Sequence, residues 1–427
     1  MLDLRFIRDH TAHVVERLAV RGKAELAGQV ARLLELDTER RALIGQVDAM
    51  RAKRNEVSPH VGRLKKEGRH DEAEPFVLEM RELNERMAEL ESRAKAVDGQ
   101  VEELLLAIPN LPAPAVPPGS EECNQLVRQW GEPVSFDFEP APHWDLGEAL
   151  GILDLARGTR IAGSGFPLLM GAGARLERGL INLMLDMHTR EHGYTEIAPP
   201  FLVNPAAAVG TGHLPKYAEE MYHITEDDLY LIPTAEVPVT NVYANEILPP
   251  DMLPRRFVAY TPCWRREAGA HGKDTRGILR VHQFDKVELV RFERPEHGES
   301  ALEELTRQAE AVLQRLGLHY RVVLLAGGDL GFANAQTYDL EVWAPGVAQW
   351  LEVSSCSLYH DYQARRANIR FRPAAGERPE FVTTLNGSGL GLPRTLIAVL
   401  ETYQQADGSI RVPAALVDYV GTDRITG

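Results

Sequence analysis

Apolar positions repeat most regularly between about Ala24 and Ile108. Phe76, Met80, Leu83, Met87, Leu90, Ala94, Val97, Val101, Leu104 and Ile108 follow an unbroken alternation of four and three residues. This is the 3.5-residue repeat of a coiled-coil seam. An earlier stretch carries a rougher version through Leu26, Val30, Leu33, Leu36, Arg40, Leu43, Val47 and Met50. Ser58-Pro59, Gly62 and Gly68 mark a break between the two, so the pattern predicts two helices folded back as an antiparallel hairpin. A helix of about 33 residues is roughly 50 Å long at 1.5 Å per residue, and such an arm is expected to project clear of any body. Pro109 to Gly119 carries five prolines and predicts a stiff, extended linker. The expected division is an arm over 1–110, a linker and start of the body over 111–130, and the body over 131–427.

Beyond the linker the periods shorten. Trp144 to Leu155 and Arg175 to His192 read as helices, the second with Leu176, Leu180, Leu183, Met184 and Met187 on one stripe. A strand then runs into Pro199-Pro200. Leu229 to Val239 reads as a short strand interrupted by Thr234-Ala235-Glu236 and closed by Pro238. Phe257 to Val290 reads as two extended runs around a Gly-rich turn, Glu267 to Gly277, which predicts a hairpin with a long loop. Arg265, Arg266, Arg276 and Arg280 are packed into it, with Glu267, Lys273, Asp274 and Glu288 nearby. Glu296 to Leu316 is an amphipathic helix. Tyr338 to Trp343 and Gln349 to Ser357 alternate as strands, each with one Glu (Glu341, Glu352) on an otherwise apolar face. Thr383 to Gly391 reads as a tight turn rich in hydroxyls and glycine, leading into a helix with Arg394 in its first turn.

Composition adds limits. With 427 residues, 44% apolar and 26% charged, the chain can bury a sizeable core in two or three domains. No run approaches the roughly 18 apolar residues of a membrane span, and the charged start MLDLRFIRDH has no apolar signal core. A cytoplasmic location is the expectation. Cys123, Cys263 and Cys356 lie far apart, with no zinc-site spacing; no zinc is expected, and Cys263 and Cys356 are expected to be buried. The net charge of −15 argues against generic nucleic-acid coating. The break in the arm departs from it. Arg51, Lys53, Arg54, Arg63, Lys65, Lys66 and Arg69 face only Glu56 and Glu67 there, about +5 in all. Such a tip is either a solvated charged helix end on an arm that serves as a spacer or dimerisation element, or, on a negative protein, a contact for the phosphates of a distant part of an RNA, read by backbone and shape.

The order of residues in the hairpin is more specific than its composition. An Arg-x-Glu ending one strand, a loop, and then Arg-Val-His-Gln-Phe-x-Lys-Val-Glu resembles the motif-two hairpin of class II aminoacyl-tRNA synthetases, in the version found in the seryl-tRNA synthetase family. The helix and strand before Pro199 resemble motif one, and Gly391-Leu392-Pro393-Arg394 before an apolar helix resembles motif three, with Pro393 where that family has a small residue. Proline is permitted in a helix's first turn. The resemblance covers essentially the whole chain. It implies an α+β fold: a long N-terminal antiparallel coiled-coil arm, plus a class II catalytic domain built on an antiparallel sheet flanked by helices.

It also implies a reaction and roles. ATP and L-serine form a seryl-adenylate, from which serine passes to tRNA(Ser), with selenocysteine tRNA left open as a second acceptor. No covalent enzyme nucleophile is needed, only positive charge on a pentacoordinate phosphorus and a rigid cradle. Arginine's planar fork suits this. Arg265 would meet the α-phosphate and the serine carboxylate, Arg394 the γ-phosphate, and Glu267 the adenine amino group, with Phe284 stacked on adenine. Arg266, Val281, Val353 and Ser354 complete the expected ATP site. Glu352 and Ser355 would hold Mg2+ with ATP. Thr234, Ala235 and Glu236 form the expected serine-binding loop, Glu236 taking the ammonium group. Glu288 would accept the serine hydroxyl, with Thr384, Asn386 or Ser388 in support. A pocket built for that hydroxyl rejects alanine by on the order of 10⁴. The arm would grip the long variable arm of the tRNA while the acceptor end enters the body, and the chain would be a homodimer without a membrane partner. The rival readings are a relative charging threonine, proline, alanine or a carrier protein, and a non-catalytic RNA-binding coiled-coil protein.

Overall fold

The computed structural model describes residues 1–268 and 276–427; Gly269, Gly272, Lys273 and Asp274 of the predicted turn lie outside the described residues. The chain divides into two compact units. One comprises Leu2–Ala19 and Lys23–Ile108; the other comprises Met1, Val20–Gly22 and Pro109–Gly427.

The first unit is built on two long helices, α1 (Glu25–Lys66) and α2 (His70–Ala107). Their facing positions follow the heptad seam: Leu26, Val30, Leu33, Leu36, Leu43 and Val47 of α1, and Met87, Leu90, Val97 and Val101 of α2, are buried. Asp37 interrupts the seam at 1% exposure, and Arg8 and Arg40, each at 3.0 Å, compensate its charge.

The break is shorter than the sequence predicts. Ser58, Pro59 and Gly62 all lie inside α1. Proline removes one backbone bond, but Val61 and Leu64 are buried beyond it, and the His60 ring meets Phe76 at 5.0 Å. Packing on both sides therefore carries the helix through. The reversal occurs at Gly68 (φ +77). There the Gly68 amide donates to Lys65 O and the Arg69 amide to Leu64 O, the paired bonds of a Schellman cap, which favours glycine.

In the second unit eight strands form one sheet. In chain order they are β1 (Gln125–Trp130), β2 (Thr195–Glu196), β3 (Arg255–Trp264), β4 (Gln283–Glu293), β5 (Tyr320–Leu324), β6 (Gln336–Ala344), β7 (Gln349–His360) and β8 (Thr383–Gly391). Their spatial order is β1-β5-β6-β7-β8-β4-β3-β2. Every pair is antiparallel except β2 with β3. Thr383–Gly391 is thus a central strand and not a turn. Its glycines serve close packing: a Cβ on Gly387 would meet Leu305 and Cys356, whereas small residues let the helix layer approach.

Three helices, α3 (Gly171–Arg190), α5 (Gly298–Arg315) and α6 (Leu392–Thr402), share one apolar core with the sheet. Alternation sorts the central strands. Val287 and Leu289 of β4, Cys356 and Leu358 of β7, and Leu385 of β8 join that core. The residues between them are polar and belong to a cleft.

Three other expectations change. Trp144 to Leu155 is a seven-residue helix, His143–Ala149, followed by a two-residue strand, Leu153–Asp154. Leu229 to Val239 is a strand only to Leu231; Glu236 starts a five-residue helix, α4 (Glu236–Thr240), with Pro238 in its first turn, where its missing amide costs little. The proline-rich segment is not a free linker within this unit. Ala113 and Val116 are buried against Leu325 and Leu330, and the Ala113 amide donates to Ala335 O.

Candidate active site

A cleft of about 460 Å³ lies over the polar positions of the central strands. β4 contributes Phe284, Lys286 and Glu288; β7 contributes Glu352, Val353, Ser355, Ser357 and Tyr359; β8 contributes Asn386 and Ser388. The register explains the convergence, since Glu288 pairs with Ser388 and Asn386 with Ser357 on neighbouring strands. Thr234 and Glu236 enter before α4, Arg265 and Glu267 follow β3, and Arg394 enters on the first turn of α6.

The floor of the cleft is a buried polar network. Lys286 Nζ donates to Glu288 Oε2 at 2.5 Å and to Thr234 Oγ1 at 2.8 Å. Ser388 Oγ donates to the same Glu288 oxygen at 3.4 Å. Glu236 Oε1 accepts from Gln363 Nε2 at 2.6 Å, and Gln363 Oε1 accepts from Thr384 Oγ1 at 2.7 Å. Burial pushes the Glu236 and Glu288 carboxyls above the ordinary range, and the Lys286 charge opposes the shift in both. Burial, then the Arg265 and Lys286 charges, hold His213 down at about 3, so it lines the cleft as a neutral ring. Tyr359 OH donates to Asn386 Oδ1 at 3.1 Å, and the Asn386 side chain also faces the Glu236 carboxyl, whose rise it opposes.

The walls carry the nucleotide candidates. The Arg265 guanidinium lies 5.1 Å from the Phe284 ring centroid. Glu267 accepts from Arg280 Nη1 at 2.9 Å and has φ +50, a left-handed backbone uncommon outside glycine. Arg394 Nη1 donates to Glu352 O at 3.0 Å and lies 3.5 Å from Glu352 Oε2. Ser355 Oγ donates to Asp339 Oδ1 at 2.6 Å. Burial, then the Glu352 charge, raise Asp339 well above the usual carboxylate range.

Four expected site residues do not line the cleft. Ser354 falls on the helix side of β7, 1% exposed, and donates to Ser388 O at 2.6 Å. Ala235 is fully buried in a neighbouring apolar cluster. Arg266 is exposed, its backbone amide bound to Glu220 O. Thr384 is fully buried and reaches Glu236 only through Gln363. Glu341 is likewise taken up elsewhere, in an ion pair with Arg321.

The comparisons with known proteins agree along the whole chain. The profile of the seryl-tRNA synthetase N-terminal domain matches residues 1–112, and that of the tRNA synthetase class II core domain (G, H, P, S and T) matches residues 220–403. The chain is 54% identical over 422 residues to the serine–tRNA ligase of Gemmatimonas aurantiaca, covering 99% of each. It is 52% identical to that of Thermomicrobium roseum, over 100% of this chain and 95% of the relative. The crystal structure of seryl-tRNA synthetase from Pyrococcus horikoshii complexed with ATP superposes with a TM-score of 0.94 at 36% identity, over 100% of this chain and 99% of that one.

The chain belongs to the seryl-tRNA synthetase family.

As a member of that family it is a class II aminoacyl-tRNA synthetase, and its arm and antiparallel sheet are those the resemblance implied. Sequence reasoning passed over Lys286, Ser357 and Tyr359, although Lys286 stands two residues from Glu288 and Ser357 and Tyr359 stand two and four residues beyond Ser355, so strand period alone assigns them to the same face. His213 and Gln363 had no such signal. They come from segments outside the sheet and reach the site through tertiary packing.

The described cations of the arm tip are not equivalent. Arg51 pairs with Glu91 at 2.7 Å, Lys53 with Glu79 at 2.5 Å, and Arg69 with Glu67 and Glu72. Among the described residues Arg63 meets the His60 ring at 3.0 Å, and Arg54, Lys65 and Lys66 make no ion pair.

Proposed function

We propose that the cleft joins L-serine to ATP as a seryl-adenylate and passes serine to the terminal ribose of tRNA(Ser). The observation that carries this reading is the polar floor beneath paired arginines. A buried Lys286–Glu288–Glu236 set, with Asn386 beside it in the cleft lining, suits a small zwitterion with one hydroxyl. Glu236 takes the ammonium group. Glu288 accepts the side-chain hydroxyl through the oxygen that Lys286 and Ser388 leave unused. Threonine is excluded by lack of room for its methyl.

In the first step a serine carboxylate oxygen attacks the α-phosphorus. The new O–P bond forms as the bond to the bridging oxygen breaks and pyrophosphate leaves. Arg265 holds the reacting carboxylate and α-phosphate, and Arg394 the γ-phosphate, so charge gathering on the equatorial oxygens meets fixed guanidinium groups. Phe284 supplies a face for adenine and Glu267 an acceptor for its amino group. In the second step the tRNA hydroxyl attacks the serine carbonyl and AMP departs.

A magnesium ion fits this lining. Arg265, Arg280, Lys286 and Arg394 balance Glu236, Glu267, Glu288 and Glu352, so the triphosphate's own charge is left uncompensated. Glu352 and Ser355 would hold the ion beside the raised Asp339 carboxyl; when bound, it neutralises phosphate oxygens as a hard oxygen-seeking cation.

The arm engages the long variable arm of the tRNA through Arg54, Arg63, Lys65 and Lys66. The chain works as a homodimer joined at α3 and β2, where Met170, Phe201 and Leu202 are exposed apolar side chains nearby. It works in the cytoplasm, consistent with protein synthesis. Among the described residues no helix is long and apolar enough to cross a membrane. Aminoacylation of tRNA(Ser) transcript with radiolabelled serine tests the whole reading, and tRNA(Sec) transcript run in parallel tests the second acceptor.

A further inference from the structure

His143 and Glu401 are both fully buried, neither lines the cleft, and the reaction above uses neither. Glu401 lies on α6, two turns beyond Arg394. Its carboxylate accepts four N–H groups: Oε1 takes the His143 amide and His143 Nδ1, both at 2.9 Å, and Oε2 takes the Gly346 amide at 2.8 Å and the Val347 amide at 3.1 Å.

The other nitrogen of the same ring, His143 Nε2, lies 3.1 Å from the Ile278 amide. A backbone amide can only donate, so Nε2 is a bare lone pair and the ring proton sits on Nδ1, where Glu401 holds it. One imidazole thereby joins the helix that carries Arg394 to Ile278, one residue before the segment Leu279–Val281 that lines the cleft.

Gly277 is pressed onto that ring. Gly277 has φ +68, and a Cβ there would lie 2.1 Å from His143 Nε2 and 2.9 Å from Trp144 Cε3. On the far side of Ile278 come Leu279, Arg280 and Val281, all lining the cleft. Leu279 O accepts from Arg394 Nε at 3.4 Å, and Arg280 holds Glu267. The Ile278 bond thus sits immediately behind the nucleotide wall.

We propose that His143, oriented by Glu401, is a positioning residue that fixes the root of the hairpin loop and so sets the nucleotide wall formed by Leu279, Arg280 and Val281. This rests on the reading of the cleft as an ATP site. The carboxylate orients the ring and selects its tautomer, a role known for buried His–carboxylate pairs. Removing either partner leaves a buried polar group unpaired, so the couple is expected to act on the loop and not on the bound serine.

His143→Gln and His143→Asn separate the two halves of the ring. Glutamine can present an acceptor near the Nε2 position, whereas asparagine keeps only a group near Nδ1. The full chain is used, with melting temperature recorded for both. Amide exchange of a peptide covering Ile278, read without substrates, should quicken by about ten-fold in the asparagine variant, the size of one lost hydrogen bond. In serine-dependent ATP–pyrophosphate exchange the KM for ATP should rise by a similar factor while the KM for serine stays within about two-fold. Glutamine should restore both readouts towards wild type. Equal behaviour of the two variants in amide exchange and ATP KM overturns the proposal. If neither variant folds, an unprotected Ile278 amide in the wild-type chain overturns it, and a protected one supports it. Failure of wild-type exchange with serine would count against the ATP-site reading alone, because the Ile278 measurement needs no substrate.

Discussion

Lys286 Nζ lies 2.5 Å from Glu288 Oε2, and both side chains are buried, at 9% and 2% exposure. A second carboxylate, Glu236, is buried nearby; burial raises it and the charge of the same lysine opposes that rise. One cation thus serves two acids at the base of the cleft.

Removing that cation is expected to be costly. Lys286→Met leaves buried carboxylates uncompensated, a loss of about 3–5 kcal/mol for breaking a buried pair. The sign with pH follows from the raised carboxyls. A raised acid stabilises the folded chain below its unfolded value, 4.5 here, and loses that contribution as pH rises through the folded value. Without Lys286 both carboxyls rise further, so the variant's deficit in urea melts should be larger at pH 8 than at pH 5. An equal deficit at both would contradict the shared-cation arrangement.

Thr384 tests the second layer. Its hydroxyl orients Gln363, which donates to Glu236. Thr384→Val removes one hydrogen bond, worth about 1 kcal/mol. The KM for serine in pyrophosphate exchange should rise by about five-fold, on that energy, with the KM for ATP unchanged. An unchanged serine KM would show that Gln363 holds Glu236 unaided.

Much of this was legible in the sequence, for reasons particular residues show. The seam from Phe76 to Ile108 was legible because one period governs a long helix. Arg265, Glu288 and Arg394 were legible because a hairpin and a helix start have local signatures. Pro59 misled because packing of Val61 and Leu64 outweighed a local breaker. Thr383 to Gly391 misled because glycine and hydroxyls are also what a central strand needs beneath a helix. Ser354 and Ser355 differ only in the face they occupy, which register decides and composition does not.

The arm tip offers a graded test. Lys65→Glu with Lys66→Glu should weaken tRNA(Ser) binding by more than ten-fold and flatten its salt dependence, each lost phosphate contact removing about 0.7–0.9 from the log–log slope. Exchange without tRNA should be unaffected. Lys53→Gln, whose charge already meets Glu79, should do far less. Equal effects of the two changes in filter binding would argue against unpaired cations as the contact.

Glu177 predicts a pH effect outside the cleft. Burial, then the Asp285 charge, raise its carboxyl to about 8. Its protonated form stabilises the fold below the unfolded value of 4.5, and that contribution is lost as pH rises through about 8. Glu177→Gln should therefore remove part of the fall in melting temperature between pH 5 and pH 9. A variant whose profile parallels the wild type would place Glu177 in solvent.

The central claim is that this cleft activates serine. Its most direct test is amino-acid-dependent ATP–pyrophosphate exchange without tRNA, run in parallel with serine, threonine, alanine and glycine. Exchange with serine, and with alanine lower by on the order of 10⁴, is the predicted result. Exchange driven best by another of the four, or by none, would contradict it.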